Sequence, residues 1–253
     1  MINIVLRTIT NSGLQVVGYL LGNENSNRLL VCSHGFGVKS DSRGIFTMVK
    51  ESFKDHFLGV GFHYVSVDDF TGSTFVYEFS TQVQKLLTVI EKVQGKYGKK
   101  RITIIGHSQG CLIPSLMLRD HPMEIEKLIL LSPSPTTDLV RKMTSYWGNR
   151  VGSTVDLNGL SAFSRSDGAI TYVPAAFWKE AKTTFPVELF KFVADNYPTY
   201  FVRPINDEVV PEKDYALLKA LKPKHYFELK NGHDYKEDNR IGLLGLLNKI
   251  LFE

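Results

Sequence analysis

Apolar positions along this chain cluster in short runs, and stretches with helical spacing separate most of those runs. "INIVLRTI" (2–9) and "LQVVGYLL" (14–21) flank Thr10-Asn11-Ser12-Gly13, the pattern of a hairpin turn. "RLLVCSH" (28–34), "HYVSVDD" (63–69), "RITIIGHS" (101–108), "KLILLSP" (127–133), "YFVRPIN" (200–206) and "HYFELKN" (225–231) predict six further strands. Several are apolar on both faces, as parallel strands buried between two layers must be. Residues 43–57, 80–97, 109–120, 211–222 and 236–252 carry helical spacing; in the last, Ile241, Leu244, Leu247 and Leu251 fall on one face. A hairpin followed by repeated strand–helix units predicts an α/β fold, a mostly parallel eight-stranded sheet with helices on both faces.

Residues 134–190 interrupt this alternation. The segment is rich in Ser, Thr and Gly and holds both tryptophans, Trp147 and Trp178. Asp167-Gly168, between β-prone flanks in "FSRSDGAITYV", is a strong hairpin signal. An insertion this long between two sheet strands needs structure of its own. The expected organisation is therefore a core built from 1–133 and 191–253, with a small cap or lid inserted at 134–190.

Composition narrows the class. With 253 residues, 43% of them hydrophobic, the chain can bury a large core in one domain. The net charge of +4 is small, and the basic cluster of Lys96 with Lys99-Lys100-Arg101 sits where a helix is expected to end. Cations suit that position, so a nucleic-acid partner is not expected. Cys32 and Cys111 lie in apolar surroundings and read as two buried thiols. No basic flank followed by an apolar run opens the sequence, and no uninterrupted apolar run approaches the ~18 residues of a spanning helix. A cytoplasmic location is the expectation that follows. The His, Cys and acidic residues show no metal-ligand spacing, and neither a metal nor an organic cofactor is expected.

Candidate chemistry enters at "RITIIGHSQGCLIP" (101–114). Gly106-x-Ser108-x-Gly110 between a strand and a helix is the pattern of a nucleophile elbow, a strained turn whose flanking positions must be small. A serine hydroxyl is a poor nucleophile without a base in reach and a third group to orient that base. In chain order, a carboxylate and then a histidine should follow at later strand ends. Asp207 follows "YFVRPIN" and His233 follows "HYFELKNG". Asp207 stands first past its strand, and Glu208 is the alternative. His34-Gly35-Phe36-Gly37 follows the third strand, where a glycine-rich loop can turn backbone N–H groups toward the serine.

"HGFG", "GHSQG", "NDEVVP" and "NGHDY", in this order and spacing, make the sequence resemble the α/β-hydrolase-fold serine hydrolases over nearly its whole length. The compact size and the insert after the sixth strand resemble the cinnamoyl/feruloyl esterase-like branch, which borders the monoacylglycerol lipase and serine aminopeptidase-like groups. The resemblance implies a triad of Ser108, Asp207 and His233, with the N–H groups of Phe36 and Gln109 as oxyanion donors. Three features stand apart. Pro204 replaces the family's glycine three residues before the acid, and "DDFTGSTFVYEFS" lacks its D-x-R-G-H-G run. Pro114, six residues past Ser108, would kink a regular helix at a cost of about 3 kcal/mol.

The activity so implied is hydrolysis of small or medium acyl or aryl carboxylic esters through an acyl-enzyme. A thioesterase or aminopeptidase of the same fold, or a non-catalytic member that binds a small molecule, would share the motifs. The partner expected is a small-molecule ester alone, met by a monomer or homodimer. Substrate choice falls to the insert, whose aromatics supply its own small core and, in part, a pocket. Asp138, Tyr172, Trp147 and Trp178 are the candidate substrate contacts; for Asp138 a surface or helix-capping role is the favoured reading.

Overall fold

The computed structural model describes residues 2–10 and 13–253. Its larger sheet has eight strands: β1 (Ile2–Ile9), β2 (Gln15–Gly22), β3 (Arg28–Ser33), β4 (Leu58–Phe62), β7 (Arg101–His107), β8 (Lys127–Leu131), β11 (Thr199–Pro204) and β12 (His225–Leu229). Their order across the sheet is β1-β2-β4-β3-β7-β8-β11-β12. The β1–β2 and β2–β4 pairs are antiparallel and every other pair is parallel. Asn11 and Ser12 of the expected hairpin turn lie outside the described residues; beside them Gly13 N–H donates to the Thr10 carbonyl at 2.9 Å.

Strand alternation sorts side chains into two layers. Leu29, Val31, Ile102 and Ile104 join one apolar core with helices α2 (Phe79–Tyr97), α3 (Leu112–Asp120), α6 (Pro186–Asn196) and α7 (Glu212–Ala220). Leu30, Cys32 and Ile105 face the opposite core under α1 (Ile45–Phe53) and α8 (Ile241–Phe252). Both thiols are buried and unpaired. On α8 the buried face is Leu243, Leu247, Ile250 and Leu251, while Ile241 is 67% exposed. The helix is apolar nearly all round, so spacing alone did not fix which stripe turned inward.

One expected strand is displaced. Residues 58–62, "LGVGF", form β4, and most of 63–69 is loop. Glycine disfavours strands in general, but here it makes room: a Cβ on Gly59 would sit 2.9 Å from the Lys50 side chain, which α1 lays across the strand.

A second sheet stands beside the first, in the order β5-β6-β10-β9. It joins β5 (Ser66–Val67) and β6 (Thr74–Phe75) to the hairpin of β9 (Leu160–Ser164) and β10 (Ile170–Pro174). The Asp167-Gly168 turn closes that hairpin, with Gly168 left-handed at φ 83°. Thus "DDFTGSTFVYEFS" supplies one strand, β6, to a sheet that segment 134–190 completes. The latter segment also holds α4 (Leu139–Trp147), α5 (Ala175–Ala181) and the start of α6. Among the described residues no helix is long and apolar enough to cross a membrane.

Strand order places the site. From β3 the chain passes by way of α1 to β4 on one side, then by way of α2 to β7 on the other. Crevices at such reversals, at the carboxyl ends of the strands, are where open α/β sheets hold ligands.

Candidate active site

Beyond β7 the chain makes a single turn of 3₁₀ helix (108–111) and enters α3. Ser108 is held left-handed at φ 56°, a conformation that costs a residue bearing a Cβ. Both flanking glycines are sterically required: a Cβ on Gly106 would lie 2.5 Å from the Gly110 carbonyl oxygen, and one on Gly110 would lie 2.1 Å from that of Ser33. Ser33 also donates its hydroxyl to the Gly110 carbonyl at 2.6 Å. That carbonyl is the acceptor a residue 114 N–H would have sought, so Pro114, in the first turn of α3, leaves no bond unmade. Gly110→Ala is expected to cost at least about 3 kcal/mol, because backbone cannot yield as a side chain can. A thermal melt checks this, and an unchanged midpoint would contradict it.

Asp207 follows β11 and His233 follows β12. The imidazole Nδ1 of His233 lies 3.0 Å from each carboxylate oxygen of Asp207. Val209 and Val210 N–H groups donate to Asp207 Oδ1 at 2.8 Å each, and the Tyr215 hydroxyl donates to Oδ2 at 2.6 Å. Burial alone would raise the Asp207 pKa. The bonds from His233, Tyr215 and the backbone outweigh it and hold the carboxyl below its ordinary value. A carboxylate only accepts, so the His233 proton sits on Nδ1 and Nε2 keeps its lone pair. Glu208 takes a different place, accepting the His233 backbone N–H at 3.0 Å. Pro204 ends β11 beyond Val202, the last residue paired with β8, so its missing N–H falls past the neighbouring strand.

The glycine-rich loop after β3 packs on the elbow: a Cβ on Gly35 would be 3.4 Å from Ser108 Cβ. The second sheet grips its far end. Thr74 donates its hydroxyl to the Gly37 carbonyl at 3.1 Å, and the Arg165 guanidinium donates to the same oxygen. Gly37 is left-handed at φ 62°, and a Cβ there would meet Thr171 at 2.7 Å.

Ser108 and His233 line one cleft with Phe36, Arg43 and Glu208. A second, mainly apolar cavity adjoins it at Ser108 and Phe36, lined by Gln109 and walled by Leu112, Leu139, Met143, Trp147 and Val210. Of the candidate substrate contacts, Trp147 lines both, its ring 5.5 Å from that of Phe36. Trp178 is fully buried, donating its indole N–H to Ser161 at 3.0 Å among Phe163 and Phe177. Asp138 caps α4, accepting the Arg141 N–H at 2.9 Å. Tyr172 lies in β10, its backbone paired with Phe75 and Ala162. Neither Asp138, Tyr172 nor Trp178 lines the two cavities.

Two buried histidines, His34 and His107, also stand at this site. His34 accepts the Tyr64 N–H on Nε2 at 2.8 Å and donates from Nδ1 to the Gly35 carbonyl, and burial drives its pKa to about 3. His107 has Ser42 Oγ 2.8 Å from Nδ1 and the His233 carbonyl 3.0 Å from Nε2; burial, with the neighbouring His233, lowers it to about 4. The Ser132 hydroxyl donates to that same carbonyl at 2.8 Å. Nothing in the linear spacing of residues 42, 107, 132 and 233 signals these meetings.

The chain belongs to the α/β-hydrolase fold family, whose model matches residues 28–177, more than half of its length. No curated protein matches it in sequence. Among solved structures it is similar to Est1E from Butyrivibrio proteoclasticus, with a TM-score of 0.71 and 19% identity over 98% of this chain and 97% of that one. A further structure of Est1E holds ferulic acid. The esterase domain of a Rhodothermus marinus protein aligns at a TM-score of 0.69 and 14% identity, covering 99% and 98%. GrgF, an α/β hydrolase from Penicillium sp. sh18, aligns at 0.72 and 13%, covering 99% and 97%. At these identities the likeness is one of fold.

Proposed function

We propose that this protein is a serine carboxylic ester hydrolase that works through an acyl-enzyme. The observation that carries the reading is the His233 imidazole, oriented by both oxygens of Asp207 in the cleft that the left-handed Ser108 also lines. His233 Nε2 takes the Ser108 proton as Oγ attacks the ester carbonyl carbon. The π electrons move to the oxygen, where the Phe36 and Gln109 N–H groups receive them, each worth roughly 2.7–4 kcal/mol of transition-state stabilisation. Collapse breaks the bond to the alcohol, which leaves with the proton from His233. Water, deprotonated by the same imidazole, then attacks the acyl carbonyl; the Ser108 Oγ–acyl bond breaks, His233 returns the proton to Oγ, and the carboxylic acid leaves.

The apolar cavity is the acyl side and the cleft with Arg43 and Glu208 is the alcohol side. Residues 134–190 act as a cap, with Trp147 at the junction of the two. The reading is supported by the apolar wall beside Ser108, and the ferulic acid held by Est1E makes aryl acyl groups a natural part of the test. On a panel of p-nitrophenyl esters, methyl ferulate and an acyl thioester, oxygen esters should turn over. Their kcat/KM should rise about fourfold for each methylene the cavity accepts, from about 0.8 kcal/mol of burial. Activity confined to the thioester would overturn the assignment.

A further inference from the structure

Three buried side chains, Ser42, His107 and Ser132, bond around the candidate site: Ser42 and His107 form part of the wall of the cleft that Ser108 and His233 line, and Ser132 stands behind it. Their hydrogen bonds have a direction that can be worked out. The His233 carbonyl can only accept, so the His107 nitrogen facing it, Nε2, carries the proton. Nδ1 of His107 is then an acceptor, and the Ser42 hydroxyl donates to it at 2.8 Å. The Ser42 oxygen in turn faces the Gly35 N–H at 3.4 Å. A polarised chain thus runs from Gly35 N–H through Ser42 O–H and His107 N–H to the carbonyl of His233.

We infer that Ser42 and His107 are positioning residues, holding the glycine-rich loop and the backbone of His233 at one fixed spacing. The inference rests on the reading of Ser108 and His233 as nucleophile and base. Under that reading, an acyl transfer needs donors on the loop and a base on the β12 side that keep their separation through two tetrahedral intermediates. Asp207 sets the rotation of the imidazole, but it cannot set where the backbone of His233 stands relative to the β3 loop. The Ser42–His107 chain links those two directly.

The turn that carries Ser42 is built for the purpose at some cost. Ser42, Arg43 and Gly44 are consecutively left-handed, at φ 46°, 57° and 89°. Such a run is unfavourable for residues with a Cβ and persists only when surrounding contacts demand it. Here the contacts converge on the loop of His233. Arg43 pairs with Asp234 at 2.9 Å, and Arg240 donates to the Arg43 carbonyl at 2.8 Å and to the Asp234 carbonyl at 3.3 Å. One turn therefore holds residue 233 through its carbonyl and residue 234 through its side chain.

The test uses Ser42→Ala, His107→Asn and His107→Gln. Asparagine keeps an acceptor for Ser42 but loses the donor toward His233, whereas glutamine keeps an N–H that reaches the carbonyl. The readouts are the rate at which a fluorophosphonate labels the enzyme, kcat and KM on a p-nitrophenyl ester, and the downfield proton resonance of the His233–Asp207 hydrogen bond. Ser42→Ala and His107→Asn should lose about 10- to 100-fold in kcat and in labelling rate, as misplaced catalytic groups do, with KM within about twofold. His107→Gln should recover to within about fivefold of the parent if the donor is what matters. In Ser42→Ala the downfield resonance should broaden. Labelling at the parental rate in Ser42→Ala and His107→Asn, or losses that fall on KM alone, would overturn the inference, as would glutamine faring no better than asparagine. Should Ser42→Ala fail to fold, the two His107 variants decide the matter. A parent that takes no label at all would instead remove the hydrolase reading on which the inference stands.

Discussion

Ser108→Ala should abolish ester turnover, with a fall in kcat of about 10⁴- to 10⁶-fold, while the protein folds and melts as the parent does. The rate should collapse because, on the proposed reading, the Ser108 hydroxyl is the group that forms the acyl-enzyme. The fold should survive because alanine replaces a half-buried serine whose backbone is already fixed by Gly106, Gly110 and the Ser33–Gly110 bond. His233→Ala should cost nearly as much, and the double variant little more than either alone, since the groups act as a unit. Steady-state kinetics on a p-nitrophenyl ester check this. A Ser108→Ala protein within tenfold of the parent would show the chemistry to lie elsewhere.

Asp207→Asn should lower kcat by about 10³- to 10⁴-fold, and the reason is a tautomer. Val209 and Val210 N–H groups both point at Oδ1, so the amide oxygen of asparagine is expected to take that place and the NH₂ to replace Oδ2. Tyr215 can turn its hydroxyl to accept. The Nδ1 of His233, 3.0 Å from the same position, then meets a donor and gives up its proton to Nε2, which removes the base. A loss below tenfold would contradict this.

The same substitution has a signature in stability. Because the Asp207 carboxyl sits below its ordinary 3.8 in the folded protein, the stabilisation it supplies is present above that pH and is lost as pH falls through the lower native value. The melting difference between parent and Asp207→Asn should therefore be constant near neutrality and shrink below about pH 4.

The central strands and the elbow were legible because their signals are local. β7 is an apolar run ending in a glycine-spaced turn, and the acid and histidine motifs follow two strands whose positions were readable from their β-branched and aromatic residues. β4 was not legible, because Gly59 and Gly61 are there for the side chain of Lys50 and the loop at Ser40, contacts made only after α1 docks. Two-residue strands such as β5 and β6 carry no periodicity at all; β6 exists because β10 offers an edge to pair with, and β5 because β6 then offers its own. Trp147 and Trp178 looked alike in sequence. The structure separates them, since one stands beside Phe36 at the cleft and the other fills a space between β9 and α5. The bonds of Ser42 to His107, and of His107 and Ser132 to the His233 carbonyl, depend on tertiary approach across up to 126 positions in the chain, and the Arg43–Asp234 contact beside them spans 191; no spacing rule reaches that far.

Peptide mapping by mass spectrometry after exposure to a fluorophosphonate tests the central claim most directly. The account predicts a single adduct on Ser108, absent from Ser108→Ala and strongly slowed in His233→Ala. An adduct on another residue, or equal labelling of Ser108 without the imidazole of His233, would contradict it.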